Sequence, residues 1–119
     1  MPTLHFRFTD NLKINDDIKP FLQEAHHLLV DTIKTDLPTC RSLISAYTDY
    51  VVGDGSAENA FIQLTIKMLP GRDDNLKHSL GNMLLEKIQI TFASEINRLK
   101  TQVRVYLQET DIKYYYGLA

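Results

Sequence analysis

The chain has 119 residues, 44% of them hydrophobic and 24% charged, and carries a formal net charge of −2, which predicts one globular domain with its own core at a size where oligomerisation helps. Its Lys and Arg are scattered rather than gathered in a basic stripe interleaved with aromatics, which argues against nucleic acid as a partner. The single cysteine, Cys40, excludes an internal disulfide, and the lack of a signal-peptide pattern or an apolar run of membrane length points to a cytoplasmic protein with no membrane partner.

In chain order, Leu4, Phe6 and Phe8 alternate with Thr3, His5, Arg7 and Thr9, the period-two pattern of a strand with one buried face. A turn at Asp10-Asn11 follows. Asn15, Asp16 and Asp17 offer capping oxygens and negative charge for a helix start, with Pro20 in its first turn. Ile18, Phe21, Leu22, Ala25, Leu28, Leu29 and Ile33 then share one face, so the first helix ends before Pro38. Rising β-branched and aromatic content from about Arg41 to Val52 predicts a second strand.

Val52-Gly53-Asp54-Gly55-Ser56 is the strongest turn signal in the chain, because its glycines accept positive φ. It divides two similar halves, 2–52 and 57–109, from which a tail, 110–119, extends. Ala60, Ile62, Leu64, Ile66 and Met68 alternate as a third strand that stops at Pro70-Gly71. Asp73-Asp74 caps a second helix with an apolar stripe running from Leu76 through Leu80, Leu84, Ile88, Phe92 and Ile96 to Leu99. Gly81 inside that stripe costs about 1 kcal/mol of helix propensity and predicts close packing against the sheet. Val103, Val105 and Leu107 make a fourth strand. The order is βαβ, turn, βαβ, an α+β sandwich with both helices on the apolar face of one four-stranded sheet and a polar opposite face carrying His5, Arg7, Gln63, Thr65, Lys67, Gln102, Arg104 and Gln108. A ferredoxin-like sandwich and a tautomerase-like fold both have this order.

Pro2 carries the chemistry. With Met1 removed, its ring nitrogen changes from an amide into a secondary amine, and a free α-amino group titrates at roughly 7.7–8.0, near the range where a general base is most useful. Partial burial or a neighbouring cation moves that value down. The bland alternative is that proline is tolerated as the first residue of a strand. His26 and His27 are neighbours on a helix, so their side chains diverge by about 100° and do not share a metal. His5 and His78 have no companion at ligand spacing, so no metal site is predicted. Cys40 has no base beside it in sequence and reads as a buried thiol; Lys67 reads as an exposed strand lysine, and Tyr114-Tyr115-Tyr116 as packing.

Several short motifs extend the case: Pro2 at the head of the strand, Thr9-Asp10-Asn11, Cys40-Arg41-Ser42, Asp54-Gly55, Ala60-Phe61, Leu64-Thr65-Ile66-Lys67, Gly71-Arg72, and Gly81 with Met83-Leu84. Together they resemble the 5-carboxymethyl-2-hydroxymuconate isomerase family of the tautomerase superfamily over nearly the whole chain. Gly71-Arg72 before an acidic helix start also resembles the matching junction of 4-oxalocrotonate tautomerase. The resemblance implies a tautomerase-like fold, a homotrimer with its sheets around a central channel, and a cofactor-independent isomerase of homoprotocatechuate breakdown acting on a carboxylated dienol.

In that family's mechanism Pro2 moves the proton, while Arg41 and Arg72 bind the substrate carboxylates and polarise its oxo group. Guanidinium suits that task because it grips a carboxylate with two parallel hydrogen bonds and keeps its charge. Family members often carry a second arginine two positions after the first, where this chain has Leu43. Two other functions fit the residues: a tautomerase of another 2-oxo acid, and a non-catalytic ferredoxin-like binding module. If the trimer forms, the tail is expected to cover a neighbouring subunit.

Overall fold

The computed structural model describes residues 1–118, so the last position of the predicted tail, 119, lies outside the described residues. The first strand, β1 (Thr3–Thr9), leads into α1 (Asn15–Ile33), a 3-10 turn at Leu37–Thr39, and β2 (Arg41–Tyr47). The second half runs β3 (Asn59–Met68), α2 (Asp74–Thr91), α3 (Ala93–Arg98), β4 (Lys100–Glu109), and a 3-10 turn at Ile112–Tyr114.

The sheet order is β2-β1-β3-β4. β1 pairs parallel with β2 and β3 parallel with β4, while β1 and β3 meet antiparallel at the centre. In a split βαβ unit a third strand separates the two parallel ones. Here each half keeps its parallel strands side by side, so the fold is tautomerase-like and the ferredoxin-like alternative falls.

Alternation explains the core. Leu4, Phe6 and Phe8 of β1 and Ala60, Ile62, Leu64, Ile66 and Met68 of β3 turn one buried face to the helices. Those meet it with Ile18, Phe21, Ala25 and Leu29 of α1 and Leu80, Leu84 and Ile88 of α2. Each Leu, Ile, Phe or Met among them contributes about 1.5–3 kcal/mol when fully buried, so the central strands anchor the fold and the edge strands ride on them.

Several boundaries differ from the sequence expectation. The first helix takes Ile14 as its N-cap, with no side-chain capping bond, and Asn15, Asp16 and Asp17 already lie inside it. Pro20 consequently falls in the second turn, on the exposed side, where water solvates the carbonyl left without its helical donor. By contrast, Asp73 caps α2 as expected, accepting the Asn75 N–H at 2.9 Å. The second strand stops at Tyr47 rather than Val52, because the Tyr47 carbonyl accepts the Asp10 N–H and the Thr48 hydroxyl donates to Asp10 Oδ2, drawing the chain off the ladder. Gly81 does face the sheet, where an added Cβ would meet Leu107 at an ordinary 3.6 Å.

The long second helix breaks in two at Phe92, whose φ of −110° and ψ of 22° leave the helical region. Its ring is buried between Phe6 and Phe21, at centroid distances of 5.6 and 5.4 Å. The break turns α3 toward the β1–α1 connection, where the Glu95 carboxylate accepts the Lys13 N–H and Arg98 donates to the Asn11 carbonyl at 2.7 Å. Hydrogen bonds from Arg98 and from the Lys13 backbone hold the Glu95 carboxyl down to about 2. Phe92→Ala is expected to lower the unfolding free energy in urea by about 3–5 kcal/mol; a loss below about 1 kcal/mol would show that this ring does not anchor the break.

The far sheet face is mixed rather than polar throughout. Leu43 and Tyr106 stand there 58% and 56% exposed among the polar side chains, and Tyr47 lies against Phe61 at 6.2 Å between ring centroids.

Candidate active site

Strand register places the site. Thr3 of β1 pairs with Arg41 on one side and Lys67 on the other, and Lys67 pairs with Gln108. The starts of β1 and β2 and the ends of β3 and β4 therefore meet at one end of the sheet, with Pro2 at its centre. Pro2 lacks an N–H, so it begins the strand without leaving a donor unpaired, and its carbonyl accepts the Arg41 N–H at 3.1 Å. With Met1 attached, Pro2 is buried.

Arg41 is exposed, and its Nη2 donates to Thr3 Oγ1 at 2.9 Å. It opens onto a recess of about 470 Å³ lined by Met1, Pro38, Thr39 and Arg41 on one side and by Tyr115, Gly117 and Leu118 on the other. Arg72 is half-buried at the same end of the sheet. Gly71 has φ +113°, in the region that favours glycine; the bend sets Arg72 so that Nη1 donates to the Leu69 carbonyl at 3.0 Å and Nη2 to the Ile33 carbonyl at 3.4 Å. The structure thus links Pro2 and Arg41 through their backbones, while of the two only Arg41 lines the recess. Arg72 sits apart, hydrogen-bonded to neither and outside the lining of the recess.

Among the described residues no carboxylate lies within ion-pair distance of Arg41 or Arg72, whereas Lys77, Lys87, Arg98 and Lys100 each have an acidic partner. A guanidinium group without an acidic partner attracts anions and disfavours protonation of an amine close to it.

The remaining candidates find structural partners. Burial pushes the Cys40 thiol up, opposed by the nearby N-terminal charge, and its Sγ faces the Asp36 carbonyl at 3.7 Å. Among the described residues no side-chain base bonds it, as an inert thiol requires. His26 Nε2 lies 2.6 Å from Ser42 Oγ, and His5 Nε2 lies 2.7 Å from Ser45 Oγ. Burial lowers both imidazoles, helped by His27 for the first and by Arg7 and Lys67 for the second. His27 and His78 are exposed, as is Lys67 on the open sheet face. Sequence reasoning missed Thr3 as the partner of Arg41 and Tyr115 as a wall of the recess; the first depends on the register of β1 with β2 and the second on where the tail runs, and no local pattern shows either.

The sequence profile of the family described as 5-carboxymethyl-2-hydroxymuconate isomerase matches residues 2–117. The chain belongs to this family. It is an isomerase. Among solved structures, a 5-carboxymethyl-2-hydroxymuconate isomerase from Deinococcus radiodurans R1 superposes with a TM-score of 0.90 at 21% identity, over 98% of this chain and 88% of that one. A 5-carboxymethyl-2-hydroxymuconate delta-isomerase superposes with a TM-score of 0.82 at 17% identity, over 100% of this chain and 89% of that one. A fused 4-OT described as a wild type symmetric trimer gives a TM-score of 0.73 at 20% identity, over 98% of this chain and 91% of that one. No curated protein matches the chain by sequence. At these identities the superpositions establish the fold, and the profile establishes the family.

Proposed function

We propose that this isomerase moves a proton within a carboxylated dienol resembling 5-carboxymethyl-2-hydroxymuconate, with the Pro2 amine as acid and base once Met1 is removed, and without a cofactor. The observation that carries this reading is the backbone hydrogen bond that sets Arg41 beside Pro2, with the arginine lining a recess and, among the described residues, without an acidic partner. An amine there takes a proton from the dienol hydroxyl and returns it to a carbon of the conjugated chain, so one group serves both steps. Arg41 holds a carboxylate beside the amine. Arg72 adds positive potential and reaches substrate by exchanging its backbone carbonyls for a carboxylate. The test is ketonisation of 2-hydroxymuconate by protein shown by mass spectrometry to begin at Pro2; no turnover there would sink the proposal.

A second reading is favoured by Leu43, which stands in register with His5 where family members often carry a further arginine. One cation fewer suits a 2-oxo acid with fewer carboxylates. Comparing kcat/KM for mono- and dicarboxylates separates the two readings.

The active assembly is proposed to be a homotrimer of single-domain chains, working in the cytoplasm, with the open sheet faces turned inward. Support comes from the half-exposed Leu43 and Tyr106 on that face and from the trimeric 4-OT with the same fold. Three inward sheets bury those side chains and leave Arg7, Lys67 and Arg104 facing a wet channel. Light scattering is expected to give about three times the chain mass of 13.7 kDa; a stable monomer at micromolar concentration would count against the assembly.

A further inference from the structure

We propose that residues 110–118 form a strap across the recess and that Tyr115 touches the substrate there, selecting ligands that pair a flat conjugated chain with a carboxylate; this rests on the reading of the recess as the active site.

The tail leaves β4, at one edge of the sheet, yet it lines a recess beside Arg41 at the start of β2, the opposite edge. Three strand spacings, about 14 Å, separate those edges, a span that five extended residues cover. It therefore crosses the ends of β3 and β1, where Pro2 lies. Its near part is fixed: the Thr110 N–H donates to the Met68 carbonyl at 2.7 Å, the Asp111 carboxylate accepts the Lys113 N–H at 3.0 Å, and the Tyr115 N–H donates to the Ile112 carbonyl at 3.2 Å. The far part is loosely held, since nothing lies within 4 Å of where a Cβ on Gly117 would be and Leu118 is fully exposed. Such a segment opens for entry and closes over a bound ligand. Within the single chain it lines its own recess beside Arg41.

Of the three consecutive tyrosines, Tyr115 is 41% exposed against 69% and 86% for Tyr114 and Tyr116, and it alone lines the recess. Among the described residues its hydroxyl has no hydrogen-bond partner in the protein. The ring offers a flat apolar wall to a conjugated chain, and the hydroxyl is a neutral donor that complements Arg41 at a shared carboxylate.

The test uses the full chain freed of Met1, a version ending at Lys113, and the Tyr115→Ala, Tyr115→Phe and Tyr116→Ala variants. Truncation and Tyr115→Ala are expected to raise KM for 2-hydroxymuconate about tenfold with kcat changed less than about threefold, as for a lost ground-state contact. Tyr115→Phe should fall between these and the parent, and Tyr116→Ala should match the parent. Separately, cis,cis-muconate, which lacks the hydroxyl and does not react, should slow amide exchange at 114–118. In protein that turns over, an unchanged KM after truncation or unaltered exchange at 114–118 overturns the strap and leaves the site standing. Neither turnover nor muconate protection around Arg41 overturns both.

Discussion

Arg41→Ala is expected to lower kcat/KM for a dicarboxylated dienol by about ten- to a hundredfold, because hydrogen bonds from a charged donor are worth about 1.5–3 kcal/mol each. The guanidinium opens onto the recess, and its bond to Thr3 Oγ1 is exposed, so stability should change little. Arg72→Ala is expected to cost activity on a similar scale, for a different structural reason. Its side chain ties the end of α1 to the segment after β3 through the Ile33 and Leu69 carbonyls, so this variant should also melt earlier than Arg41→Ala. Arg72→Lys keeps the charge but loses the fork, and separates long-range potential from bidentate binding. A monocarboxylate should be hurt less by either alanine change. Parent-level turnover of the dicarboxylate by both alanine variants would place the substrate elsewhere.

What the sequence made legible follows from where information is local. Alternation in β1 and β3 was strong because both are central strands with one face fully buried, and the helical stripes were strong because they cover that face. Edge strand β2 has no buried residue on either face, so its pattern carried no end-point and the strand was drawn five residues too long; the actual stop depends on Asp10, far away in sequence. The break at Phe92 was invisible for the same kind of reason. A phenylalanine at helical spacing reads as one more core position, and only its tertiary wedge against Phe6 and Phe21 reveals the bend. Strand order, which separates the two candidate folds, depends on pairing that periodicity does not encode. Arg41 and Arg72 were picked out by resemblance, and their different settings, one at the recess and one bound to backbone carbonyls, belong to tertiary structure alone.

Protein that retains Met1 is expected to be slower by about 10²–10⁴-fold than protein that begins at Pro2, the range that a positioned general base contributes. Retention acts twice: it keeps the Pro2 nitrogen an amide without a usable lone pair, and it keeps that residue buried behind Met1 at the recess wall. In processed protein kcat/KM should rise with pH through the titration of the Pro2 amine, since only the neutral form takes a proton. That limb should lie below the ordinary α-amino range, because partial burial and the uncompensated Arg41 both disfavour the protonated form. Arg41→Ala should accordingly move the limb to higher pH, an effect that loss of substrate binding alone does not produce. Pro2→Ala, made with Met1 fully removed, leaves a primary amine at the same place and should lose only part of the activity. Equal ketonisation rates for processed and unprocessed chains would remove Pro2 from the mechanism, because an acylated nitrogen cannot carry the proton.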